Sequence, residues 1–405
     1  MLIWSTAYSQ ELDLAGILNR VEESNPDVRV KEYDIEIKKK AKNKALKNLV
    51  LPPIALSSEE EWELIKDEGV GINEIEAYIP LFQGGSVYNT YKRSEKQLEL
   101  AQKEERVTLY RSQELAVKSY FDALNYRKQG EITERVIKAL EKQKSRLSGM
   151  YRSGRLIPKS EVLKVEADIE NNRALNIKNY QGERNSTEKL YQLLDYSLNS
   201  DKKLSEFDAQ EYLKVKGNIE KSNRPLEETT IGNIEKLKVE DAEYNLKITK
   251  ADLYPTIYIK PSYKFKDKVW ENGEERYKTV NDSRFEVGFR YVFAWGATLD
   301  SVAQSKYQLE QAKLKYENSM KGLSLEVRDK IRGMESLYGQ SLAQKKRVDL
   351  LTENLEIDNL RYDNGLITTF DYLNSVNELR TAQENYYRTQ RELVLSTIEY
   401  ENLYK

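Results

Sequence analysis

TIYIKPSYKFK, residues 256–266, alternates along its whole length. Ile257, Ile259, Pro261, Tyr263 and Phe265 fall on one side, while Thr256, Lys260, Ser262, Lys264 and Lys266 are among those on the other. A period of two marks an extended chain whose successive side chains point to opposite faces. FEVGFRYVF, residues 285–293, repeats the pattern, with Phe285, Val287, Phe289, Tyr291 and Phe293 set against Glu286, Gly288 and Arg290. Between the two, VWENGEERYKTVND (269–282) reads as a loop with a turn at Asn272-Gly273. One aromatic-aliphatic face and one charged face suit two settings. The first is an outer-membrane barrel, apolar toward lipid and polar toward a lumen. The second is a soluble antiparallel sheet resting on a helix.

An earlier pair spans about 53–82. Ile75, Ala77, Ile79 and Leu81 alternate there against Glu74, Glu76 and Tyr78. SSEEEWEL (57–64) places three acids in a row, so that strand is either short or carries its acids above any membrane. Four strands cannot close a barrel, since the smallest have about eight. An open edge in lipid leaves backbone groups without partners. Several copies must therefore pool their strands, and three copies would supply twelve.

The flanking sequence is duplicated. AYIPLFQGGSVY (77–88) aligns with GFRYVFAWGATL (288–299), matching Phe82 to Phe293 and Gly85 to Gly296 at an offset of 211. The same offset relates MYRSGRLIPKSEVL (150–163) to RYDNGLITTFDYL (361–373), through Tyr151 and Tyr362 and through Gly154 and Gly365. Leu98 and Ala101 match Leu309 and Ala312, and Pro52 answers Pro255 at a shorter offset. The chain reads as a tandem repeat. Residues 10–200 form the first copy, 201–225 a linker or equatorial segment, and 226–405 the second copy. Each copy runs helix, strand pair (about 53–82 and 255–293), very long helix, tip (about 151–158 and 362–369) and returning helix.

No proline interrupts the span between Pro80 and Pro158, and none follows Pro261. Residues 85–150 are rich in Glu, Lys, Gln, Leu and Ala, and as one helix would reach on the order of 95 Å. The matching span 296–362 contains Gly322, Gly333 and Gly339, which weaken a helix without ending it. Ile331, Met334, Tyr338, Leu351, Leu355 and Tyr362 keep a three-to-four spacing with a seven-residue stride, which predicts coiled-coil packing. Gly154 and Gly365 supply left-handed caps. Thr368, Thr369 or Ser160 can cap the returning helix, with Glu161 and Asp371 near its positive end. The predicted fold class is mainly α with a small β part.

Composition narrows the function. Charged residues make up 33% and mean hydropathy is -0.75, which favours long amphipathic helices over thick cores. A net charge of -2 gives no basic field for nucleic acid. Cysteine and histidine are absent, which removes thiol nucleophiles, disulfides, Cys/His metal sites and the usual general base. A carboxylate-only hydrolase would need two acids held in a cleft, and coiled coil provides none. We therefore expect no enzyme activity, no cofactor and no metal. No run of about 18 apolar residues is present for a transmembrane helix. Residues 1–9 read either as the tail of a secretory signal with its cleavage site or as a plain N-terminal extension.

In this order and spacing the chain resembles the TolC-like outer-membrane efflux protein family over nearly its whole length. The carrying features are the tandem halves and the opening helix NPDVRVKEYDIEIKKKAK (25–42). With them go LPPIAL and LYPTIYI at the strand entries, IPLFQGG and VFAWGA at the strand-to-helix junctions, and SGRLIPKSEVL and NGLITTFDYL at the turns. The resemblance implies a homotrimer in the cell outer membrane, with a twelve-stranded barrel continued by a helical barrel across the periplasm. It implies a passive exit duct for small molecules or proteins, working with a periplasmic adaptor (membrane fusion) protein and an inner-membrane pump in efflux or type I secretion. The apolar strand residues named above would face outer-membrane lipid. Gly154, Arg155, Leu156, Gly365 and Leu366 match the adaptor-docking tips. Tyr362, Asp371 and Asn374 fall at the periplasmic constriction, although Asn374 stands where the family often has a second acid. Ile367 stands where some members have an arginine. The segment 194–225 fits the family's equatorial belt. The rival expectation is a coiled-coil envelope scaffold with no pore.

Overall fold

A computed structural model describes residues 11–51, 53–63, 68–154, 157–198, 200, 202–207, 225–271, 274–278 and 282–404. The signal-like stretch 1–9, tip residues Arg155 and Leu156, and most of 201–225 lie outside these. The helices are α1 (Leu14–Ser24), α2 (Pro26–Val50), α3 (Ser86–Arg152), α4 (Lys159–Leu193), α5 (Thr230–Ala251), α6 (Ala297–Asp363) and α7 (Thr369–Asn402). The strands are β1 (Ile54–Glu63), β2 (Glu68–Ala77), β3 (Ile79–Phe82), β4 (Thr256–Glu271), β5 (Glu274–Lys278) and β6 (Asp282–Arg290). The chain divides into two compact units, each drawing on both repeats. One comprises Met1–Val30, Arg106–Thr230 and Leu323–Lys405; the other comprises Lys31–Glu105 and Ile231–Gly322.

The second unit holds the sheet. Strand β4 is its centre, pairing antiparallel with β2 and β3 on one side and with β5 and β6 on the other. β1 pairs β2 from Ile54↔Ala77 to Glu63↔Glu68 and forms one edge. The arms β2–β3 and β5–β6 are the return strokes of two hairpins, the first interrupted at Tyr78. β1 is ten residues long and runs straight through the acidic triplet, so the short-strand alternative fails. The expected loop at 269–282 is also corrected. β4 extends 16 residues to Glu271, and Glu274 pairs back onto it. Residues 266–278 are mostly charged, so no apolar face marks a strand there, yet backbone pairing does not need one. β6 ends at Arg290, which puts Tyr291 and Phe293 just beyond the strand.

The first unit is helical. Asn25 sets its opening: its Oδ1 accepts from the amides of Asp27 and Val28, capping α2 at an Asn-Pro start, while its Nδ2 donates to Leu193 O at 2.9 Å. Leu12 pairs with Leu204, and Tyr120 donates to Ser205 O at 2.8 Å, so the described part of the linker lies on the helices. One core gathers Ile17, Val21, Val28, Val117, Tyr120, Leu190, Leu194, Leu204, Val394 and Ile398. A second joins Val136 and Leu140 of α3, Val165 and Ile169 of α4, Leu355 of α6, and Tyr372, Leu373 and Val376 of α7.

Both long helices contain 67 residues, and each boundary of one lies 211 positions from its counterpart. Gly322, Gly333 and Gly339 sit inside α6 with open space where a Cβ would be, so they cost propensity without a packing reason to bend. Leu323, Val327, Met334, Ser341 and Asp358 are the buried positions of α6 in the first unit, and 327, 334 and 341 repeat every seven residues. That stride drifts on a 3.6-residue helix and imposes left-handed coiling. Tyr338, expected in the stripe, is 55% exposed and stands off it.

Candidate functional sites on the sheet face and the hairpin tips

The apolar side of the sheet is uncovered within the chain. Register places Phe285, Val287 and Phe289 opposite Pro261, Ile259 and Ile257. The first three are 70%, 63% and 77% exposed; Ile257 and Tyr263 are also exposed and Ile259 is half-buried. Phe265 belongs to β4, but its side chain lies outside the described set. Among the described residues no helix covers Phe285, Val287 or Phe289, which speaks against a sheet packed on its own helix through them. A contiguous apolar face of this kind requires a partner.

The other side is polar and knit together. Lys260 pairs with Glu76, and Tyr258 donates to Glu286 Oε1 at 2.9 Å. The Tyr258 ring lies 5.0 Å from that of Tyr78 and occupies the space above Gly288, where a Cβ would approach within 2.6 Å. Arg290 stands 6.0 Å from the same ring. Gly288 is therefore required by its cross-strand neighbour.

At the second tip, Gly365 ends α6 with φ 71°. Its amide donates to Tyr362 O at 2.9 Å and that of Leu366 to Arg361 O at 2.8 Å. Thr368 then begins α7 with a reciprocal capping box. Its hydroxyl and amide both donate to Asp371 Oδ2, at 2.6 and 3.0 Å. These two bonds, the hydroxyl first, hold the Asp371 carboxyl below the usual carboxylate range. Asn374 is exposed and donates to Glu378 Oε1 at 3.0 Å, so a carboxylate does stand one turn further on. Leu366 is 71% exposed, and Ile367 is half-buried. At the first tip Gly154 has φ 73°, but Pro158 starts α4 without a side-chain cap, so Ser160 does not serve as one.

The structure brings the tips' legs together. Tyr362 stacks on Tyr372 at 4.9 Å, with Arg146 of α3 5.7 Å from the Tyr362 ring. Sequence reasoning missed Asp358, which is 8% exposed. It accepts from Ser375 Oγ of α7 at 2.6 Å, from Asn354 at 3.1 Å and from Arg361 at 3.3 Å. The signal was available: Asp358 lies seven residues after Leu351, in the helix's own apolar stripe. A cleft of about 220 Å³ in the same unit is lined by Phe121, Leu124, Asn125, Lys128, Glu206, Phe207, Tyr387 and Gln390. It presents one carboxylate, half of what acid–base hydrolysis of a glycoside needs. Among the described residues no helix is long and apolar enough to cross a membrane, and no acidic cluster could hold a metal.

The fold is shared by solved outer-membrane channels. The Campylobacter jejuni CmeC outer membrane channel shares the fold with TM-score 0.81 and 14% identity, over 96% of this chain and 85% of that one. The outer membrane protein VceC of Vibrio cholerae matches with TM-score 0.77 and 13% identity over 96% of each chain. The open state of the Neisseria gonorrhoeae MtrE outer membrane channel matches with TM-score 0.75 and 16% identity, over 96% of this chain and 88% of that one. No curated protein sequence matches the chain. Residues 235–402 match the family described as outer membrane efflux protein.

Proposed function

We propose that this protein is the outer-membrane exit duct of a tripartite efflux pump or type I secretion system, a passive conduit and not an enzyme. The observation that carries it is the uncovered face of Phe285, Val287 and Phe289 on a sheet with two free edges. Such a sheet cannot stand in lipid alone, because its edge groups would have no partners. Three copies close it into a barrel, with lipid outside and the Tyr258–Glu286–Lys260 side lining the lumen. The long helices then continue the wall into the periplasm. In this arrangement Tyr362, Asp371 and Asn374 ring the far constriction, and the tips bearing Gly154, Arg155, Leu156, Gly365 and Leu366 receive a periplasmic adaptor coupled to an inner-membrane pump. A coiled-coil scaffold without a pore gives the apolar strand face nothing to meet.

Extraction and bilayer recording test this directly. The protein should require detergent, run as a heat-sensitive trimer and conduct ions in a planar bilayer. A monomer that stays in aqueous solution without detergent would end the duct reading.

A further inference from the structure

On the polar face of the sheet, two tyrosines form a platform that the strands hold in place. Register sets Tyr258 of β4 opposite Gly288 of β6. The ring lies across β6 because position 288 is glycine, whose missing Cβ would come within 2.6 Å of it. The Tyr258 hydroxyl donates to Glu286 Oε1 at 2.9 Å, which fixes how the ring is turned. Tyr78, at the break between β2 and β3, brings a second ring to 5.0 Å with the two planes 31° apart. Both residues are only half-buried, so the pair keeps open surface on which a further ring can stack.

Charge on this face is matched at every described cation but one. Lys260 pairs with Glu76 and Arg284 with Asp282, while Lys264 stands opposite Glu74 in register. Arg290 is exposed and has no ion pair among the described residues. Its guanidinium stands 6.0 Å from the centre of the Tyr258 ring. Two fixed rings therefore adjoin a cation that no carboxylate of the chain answers. A guanidinium can both stack on a ring and donate two parallel hydrogen bonds to a carboxylate.

We propose that Tyr78, Tyr258 and Arg290 form a transit site for small planar aromatic carboxylates, one on the lumen wall of each copy. The proposal rests on the duct reading above, which turns this face toward the lumen. The rings favour planar aromatic cargo over aliphatic cargo of the same charge, and Arg290 favours an anion over a neutral molecule of the same shape. Affinity at such a site is weak, on the order of millimolar, because a duct must release what it takes up.

Block of ion current in planar bilayers decides it. The full-length protein is recorded with 2-naphthoate added to both sides, and separately with 1-adamantanecarboxylate, an anion of similar size that is neither planar nor aromatic. Naphthoate should reduce the current at concentrations where adamantanecarboxylate does not. Its half-blocking concentration should rise at least about fivefold in Tyr258→Leu and in Arg290→Gln, and stay within about twofold of the parent in Tyr258→Phe, which keeps the ring. Equal block by the two anions, or equal naphthoate block in the parent and in Arg290→Gln, overturns the site and leaves the duct standing. A parent that does not conduct removes both. Should Tyr258→Leu fail to insert, the exposed Arg290→Gln decides alone: an unchanged half-blocking concentration overturns the site, and a rise of about fivefold supports it.

Discussion

Ser375→Ala isolates the bond that fastens the two legs of the second hairpin. Ser375 Oγ donates to Asp358 Oδ2 at 2.6 Å, and both residues are at least nine-tenths buried. A hydrogen bond to a charged group contributes about 1.5–3 kcal/mol, and the buried acceptor loses one of its partners. Asn354 and Arg361 still reach the carboxylate, which keeps the loss near about 2 kcal/mol and below that of a wholly orphaned charge. The bond lies within two helical turns of the tip, so the cost should fall on local opening. Amide hydrogen exchange at the ends of α6 and α7 should then quicken by about 30-fold, while exchange in the β4 ladder stays unchanged. Replacing both partners, as Asp358→Leu with Ser375→Ala, should restore most of the protection, because neither is then left unsatisfied. Unchanged exchange at the tip in Ser375→Ala would refute the reasoning. A uniform acceleration through the sheet would refute its local character.

Two further outcomes follow from charges at known partners. Asp371→Asn should reduce cation preference in bilayer recordings, whereas Thr368→Ala, which removes the cap at a cost of about 1 kcal/mol but keeps the carboxylate, should leave ion selectivity unchanged. Equal selectivity in the parent and Asp371→Asn would remove Asp371 from the constriction. Glu114 and Glu95 should respond to pH in opposite senses. Burial pushes the Glu114 carboxyl above 4.5 and Glu399 adds to the rise, against the bond from Asn402, so its ionisation subtracts stability as pH climbs through that raised value. Glu114→Gln should therefore gain thermal stability over the parent at neutral pH and lose the advantage at acid pH. Lys92 and then Tyr91, with a smaller share from Lys42, hold Glu95 down to about 2. Its contribution is full above 4.5 and fades as pH falls toward 2, and Glu95→Gln should abolish that fading.

The helices were legible because proline spacing and a seven-residue stride both bear on their length, and glycine marked each tip. The apolar strand stretches were legible because one face is aromatic and aliphatic while the other is charged. Where β4 and β5 continue through charged sequence, the alternation vanishes while the ladder persists, so the extension could not be read. At the tips, Gly365 announced a turn through its backbone preference and Thr368 a cap through its side-chain oxygen, both local signals. The stripe could mark Asp358 as buried, but its bond to Ser375, 17 positions on, crosses to another helix, as does the approach of Arg146 to Tyr362, and no local rule ties these pairs together. Tyr338 fitted the helical spacing but faces outward, because spacing gives the stripe's period and leaves open which of two adjacent rows is covered.

The duplication explains which parts of the chain are free to change. Adding one residue to α3 or α6 would turn everything beyond it by about 100° and carry the stripe off its partners. Both helices therefore keep 67 residues, and the returning helices keep 35 and 34. A strand hairpin tolerates added length, because doubling a loop costs only about 0.6 kcal/mol. The two strand segments have accordingly drifted, with β4 at 16 residues and β1 at 10. Where helical length is fixed, the copies diverge in chemistry at matched positions: Trp295 stands where the first copy has Gly84, 211 positions earlier and also at positive φ, and a Thr368–Asp371 box stands where the first tip has Pro158. These matched but unlike positions mark where the two halves meet different surroundings.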